Sequence, residues 1–116
     1  MARKLIRIDT SLVNHSNDPS FIKACHLLDS NYEKYLIEAK EILRGNTLVR
    51  EVNGLRLSFY KQGNYACYDI VDVKEPREII SYSKTKLSWF PTQNRLETVI
   101  QSIAIGEATA LTHPNN

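Results

Sequence analysis

The sequence has little of what small proteins use for special chemistry. Its 116 residues include three histidines, two cysteines, four glycines, one tryptophan and one methionine. The histidines, His15, His26 and His113, fall in a loop, a helix and a tail. No His–carboxylate spacing suited to a metal and no nucleophile elbow is present, and no glycine-rich phosphate loop either. Cys25 and Cys67 are too few for a disulfide framework, and both read as small core hydrophobes. His26 follows Cys25 directly, so on a helix it points about 100° away and cannot share a ligand with it. The sequence therefore implies no metal and no cofactor, and it leans away from an enzyme.

Long apolar runs are also missing. No stretch nears the roughly 20 residues that span a bilayer. The basic start, Arg3-Lys4, meets Arg7 and Asp9 before any apolar segment can form, so no signal peptide is expected and the cytoplasm is the expected location. The formal net charge of +2 is too small to imply nucleic-acid binding by total charge alone.

What is present is a well-punctuated α+β pattern in one domain spanning residues 1–116. Its centre is the stretch 48–84, where four runs rich in Val, Ile, Leu, Tyr and Phe are divided by Asn53-Gly54, Gln62-Gly63-Asn64 and Glu75-Pro76. Asn-Gly favours a type I′ turn, in which both central residues need positive φ, so the stretch reads as an antiparallel meander. Leu55, Leu57 and Phe59 alternate with Arg56, Ser58 and Tyr60, giving one dry face and one wet face. Near Ile70 the alternation changes phase, which calls for a bulge or for a strand covered on both sides.

Helices flank the meander. Asp18-Pro19 starts one over residues 19–44, with a stripe of Phe21, Cys25, Leu28, Tyr32, Tyr35, Ala39 and Ile42, and Gly45-Asn46 ends it. Asp29-Ser30-Asn31 is a poor helix interior, so this is one long helix or two joined by a kink. The dry face of the sheet is expected under it. A second helix over 93–111 carries Leu96, Val99, Ile100, Ile103, Ala104, Ala108 and Leu111. A short strand at 4–9 is expected to join a sheet edge. The whole is a four- to five-stranded antiparallel meander packed by an N-terminal and a C-terminal helix.

The wet face is the one constellation with functional content. Arg56, Tyr60, Lys61, Tyr82 and Lys84 would form a basic surface interleaved with aromatics. Such a surface can stack bases and hold phosphates. The carboxylate pairs Glu38/Glu41 and Asp69/Asp72 read as solvated surface charge. The turn and strand Gly63-Asn64-Tyr65-Ala66-Cys67-Tyr68, within residues 41–84, resembles the RelE/ParE toxin fold. That resemblance implies RNA contact through Arg56, Lys61, Tyr82 and Lys84. The chain departs from the family in its long first helix, in lacking a basic-aromatic end to the last strand, and in its apolar C-terminal helix.

The leading expectation is a small non-enzymatic interaction or regulatory protein of inhibitor or immunity type. Its contact region would be Trp89, Phe90 and the helix 93–111, with a second copy as the simplest partner. An RNA-binding module on the wet face is the alternative. A small-ligand binder, with Tyr32, Tyr35 and Tyr68 lining a pocket between helix and sheet, is the second alternative.

Overall fold

A computed structural model describes residues 19–74, 78–87 and 93–114. The order is helix α1 (Pro19–Leu43), strands β1 (Leu48–Val52), β2 (Leu55–Gln62), β3 (Tyr65–Asp72) and β4 (Ile79–Lys86), then helix α2 (Gln93–Thr112). The strands form one antiparallel sheet in the order β1-β2-β3-β4. The α+β meander with its two helices is therefore present. The strand expected at 4–9 lies outside the described residues.

Local chemistry sets the turns. Asn53 and Gly54 have φ of 55° and 77°, so the β1–β2 hairpin closes on the type I′ geometry that Asn-Gly favours. The next hairpin pairs Gln62 with Tyr65 and turns on Gly63-Asn64, with only Gly63 at positive φ, 60°, as in a type II′ turn. Helix α1 ends in a Schellman motif. Asn46 N–H donates to the Glu41 carbonyl (3.1 Å) and Gly45 N–H to that of Ile42 (2.9 Å), with Gly45 at φ 103°. A register shift between Ile70 and Val71 is the bulge that the change of phase called for.

Helix α1 is two helical halves run together, and Asn31 (φ −122°, ψ 23°) is the kink between them. The polar triplet Asp29-Ser30-Asn31 is where the break falls. Ala24, Leu28, Tyr35, Ala39 and Ile42 are its buried residues; Cys25 and Tyr32 sit at the edge of that stripe, half-buried.

Both helices pack on the sheet, as expected, but they share it unequally. Helix α2 makes most of the helical contact with β2, β3 and β4, while α1 packs chiefly along α2 and reaches β2. The reason is steric and starts at Gly106. A methyl there would stand 2.5 Å from Phe59 Cε1 and 3.3 Å from Tyr68 Cγ. Only glycine lets the helix backbone come this close to the sheet. In contact with both the sheet and α1, helix α2 is buried on several sides: Val99, Ile100, Ile103, Ala104, Ala108 and Ala110 are all at 1% exposure or less. Leu111, placed on the apolar face by the sequence, is exposed instead. Burying Leu57, Phe59, Ile70, Ile100 and Ile103 stabilises the fold by roughly 1.5–3 kcal/mol per side chain relative to water. The hairpin is tied to the same helix, since Asn53 Nδ2 donates to the Ala110 carbonyl (3.0 Å) at its C-terminal end.

Candidate functional site

Strand pairing divides the expected site residues between the two faces. Ser58, Asp69 and Tyr82 form one cross-strand row, and Tyr60, Cys67 and Lys84 form the next. Arg56 shares their face, opposite Val71. Lys61 pairs with Ala66 and takes the phase of Leu57 and Phe59. It therefore belongs to the helix-side face at its end, where its ammonium donates to the Gly63 carbonyl (3.3 Å). Trp89 and Phe90 lie outside the described residues.

The outer face is knitted together rather than loosely solvated. Lys84 Nζ stands 4.5 Å over the Tyr65 ring, a cation–π contact. Tyr60 hydrogen-bonds Asp69, its diagonal neighbour on β3. Burial, followed by the Asp69 charge, pushes the Tyr60 phenol up to about 12. Beneath these side chains Cys67 is only 1% exposed although no helix among the described residues lies on this face. Desolvation raises its thiol pKa above the ordinary value, which disfavours the thiolate. Around this patch Val49, Ile79 and Tyr82 are exposed by 54%, 60% and 50%.

The opposite face holds a cluster that sequence reasoning missed. Arg50 of β1 places Nη1 2.7 Å from Glu107 Oε2 of α2 and Nη2 2.6 Å from Glu38 Oε2 of α1. The second contact is a charge contact without hydrogen-bond alignment. Tyr35 donates its hydroxyl to Glu107 Oε1 (2.5 Å) and hydrogen-bonds Asn31 at the kink. The Arg50 guanidinium lies 5.9 Å from the centre of the Phe59 ring. Burial drives the Tyr35 pKa far upward, and the bond to Glu107 adds to it. Glu38 is thus a buried partner of Arg50, not the solvated charge that its spacing to Glu41 suggested. Glu41 itself pairs with Arg44 and Asn46 at the exposed end of α1. Both oxygens of Glu107 are engaged and the cluster clamps three elements together, while Glu38 Oε1 and Arg50 Nε are buried without a hydrogen-bond partner.

A third feature is a groove of about 290 Å³ between α2 and the β3–β4 edge. Tyr68, Ser83, Thr85, Glu97, Ser102 and Ile105 are among its walls. Of the tyrosines expected in a helix–sheet pocket, Tyr68 lines it; Tyr35 is held by Glu107, and Tyr32 packs at the edge of the core.

The chain matches no protein-family model, no curated protein and no solved structure. The similarity to the RelE/ParE toxins thus gains no support from these comparisons, and function rests on the geometry alone. Among the described residues no group of three or more His, Cys, Asp or Glu is placed to hold a metal. No helix among them is long and apolar enough to cross a membrane.

Helix 93–111, expected as a dimer surface, lies largely against its own chain. The helix is covered by α1 and by the sheet of its own chain, so its apolar faces are not spare. Its breadth of apolar residues reflects its contact with both α1 and the sheet.

Proposed function

We propose that the protein is a non-enzymatic interaction module that binds another protein through the outer face of its sheet. The observation that carries this reading is the company that face keeps. Exposed Ile79 and Tyr82 on β4 stand beside the Tyr60–Asp69 and Lys84–Tyr65 pairs, with exposed Val49 on the same face at the opposite edge. An apolar patch rimmed by polar and charged groups suits a protein interface, in which tyrosine and arginine anchors carry much of the energy. Charge favours this over nucleic acid: Arg56, Lys84 and Lys86 on this face are offset by Glu51 and Asp69. An acid in the middle of a phosphate-binding face would repel its ligand.

A photo-crosslinking residue at position 82, with one at position 37 on exposed α1 as the control, tests the reading in the native host. A protein adduct at 82, absent at 37 and lost on Ile79→Glu, is the expected result. Adducts only at 37 remove this reading. The RNA alternative predicts salt-sensitive RNA binding by the wild type that Arg56→Ala and Lys84→Ala weaken without changing thermal stability.

A further inference from the structure

The groove between α2 and the β3–β4 edge has unengaged hydroxyls in its walls. Tyr68 and Ser102 are 5% and 7% exposed, and both line the groove. Neither hydroxyl has a hydrogen-bond partner among the described residues. Ser102 is unusual in its own helix. Thr98, Thr109 and Thr112 each donate to the carbonyl four residues back at 2.8 Å, the common use of a helical hydroxyl. Ser102 forms no such bond and turns to the groove. Neither hydroxyl is a fully buried unpartnered atom, so both open to the groove and can bond a solute that enters it.

We propose that this groove is a binding site for a small neutral polyhydroxyl solute of monosaccharide size. The donors and acceptors set the class. Tyr68, Ser83, Thr85 and Ser102 offer hydroxyls that both donate and accept, which matches the hydroxyls of a sugar or polyol. Among the described residues no cation lines the groove and Glu97 does, so anions such as phosphate are disfavoured. Tyr68 and Ile105 supply apolar surface for the C–H face of a sugar ring. The volume equals that of roughly ten waters, at about 30 Å³ each, which suits one ring and excludes an oligomer. This site is independent of the outer-face reading, because the groove opens on the other side of the sheet.

The test is titration of the full chain with D-glucose, D-ribose, myo-inositol and glycerol, followed by backbone amide NMR, with inorganic phosphate as the contrast. The expected result is saturable shifts at Tyr68, Ser83, Thr85 and Ser102 for one or more of these solutes, and none for phosphate. Tyr68→Phe keeps the ring in the core and removes only the hydroxyl; it and Ser102→Ala should each weaken binding by about tenfold. A spectrum that stays native in both variants keeps folding out of the comparison. No saturable shift from any of the four, shifts that map elsewhere, preference for phosphate, or unchanged affinity in both variants would each overturn the proposal. Loss of outer-face crosslinking in the separate test above leaves it standing.

Discussion

Arg50 and Lys84 stand on opposite faces of one sheet, each close to an aromatic ring. The Arg50 side chain is only 17% exposed and touches two carboxylates from two helices. Lys84 is exposed, and its ring contact is open to water. Two cations in similar company thus have different physical weight. Screening makes the Lys84 contact nearly neutral for stability, as for most exposed ion contacts. Removing Arg50 strands two buried carboxylates, and an uncompensated buried charge is among the costliest defects a fold can carry. The inner face is where the chain is held together, and the outer face is where it can meet something else without losing its fold.

The largest expected effect follows directly. Arg50→Ala should destabilise by about 3–5 kcal/mol, measured by urea denaturation. Replacing the whole set, Arg50→Met with Glu38→Gln and Glu107→Gln, should cost less than Arg50→Ala alone, because no charge is then left buried. If Arg50→Ala costs no more than Lys84→Ala, the contrast between the faces is wrong.

Gly106→Ala comes next. Alanine is the better helix former by about 1 kcal/mol, yet its methyl would meet the Phe59 ring. Phe59 is fully buried and tilted against Tyr68, with ring centroids 6.1 Å apart, so it has nowhere to go. Overpacking should win, with a net loss of about 1–3 kcal/mol. A stabilised Gly106→Ala would show that α2 can lift off the sheet.

Tyr35 adds a pH dependence to the inner face. In the folded state its proton is held more tightly than in the unfolded chain, where the phenol titrates near 10.0. Stability from this group is therefore fully present below about pH 10 and is lost as pH rises above that. Tyr35→Phe should cost about 1–3 kcal/mol at neutral pH, because Glu107 loses a buried donor. The variant should also show a shallower alkaline decline, followed as melting temperature between neutral pH and pH ~11. An identical alkaline slope in the variant would place the titration elsewhere, with Tyr60, whose pKa is raised in the same direction, the next group to test.

The meander, its turns, the bulge and both helices were legible because each rests on local chemistry: Asn53-Gly54, Gly63, Gly45-Asn46, Pro19 and the alternation of Leu55 to Tyr60. The layering was not legible. Helix periodicity shows how wide an apolar face is, but it does not say whether a sheet, a helix or a second copy covers it, and α2 was read as having spare surface for that reason. The buried cluster left a faint signal. Arg50 shares the phase of Leu48 and Val52 on β1, and Glu107 sits in line with Ile103 on α2. Opposite charges, each inside the apolar phase of its own element, mark a buried pair, whereas spacing between carboxylates on one helix does not. The groove was not legible: of Tyr32, Tyr35 and Tyr68 only Tyr68 lines it, and Ser102 and Thr85 become neighbours only when α2 settles across the β4 edge.

The smallest expected effect on stability is also the sharpest test of the outer face. Lys84→Ala and Tyr82→Ser remove side chains that are largely in water, so each should change stability by within about 0.5 kcal/mol. Lys84 does have one structural task, since with Tyr60 it flanks Cys67 across the strands. Lys84→Ala should therefore open Cys67 to thiol reagents, while the Tyr82→Ser thiol stays protected. Labelling with a maleimide under native conditions reads this directly. A faster reaction in Lys84→Ala with an unchanged melting temperature would show that this face covers its own thiol with side chains alone. Equal protection in both variants would mean that another part of the chain lies over Cys67, and the face proposed for a partner would then already be occupied.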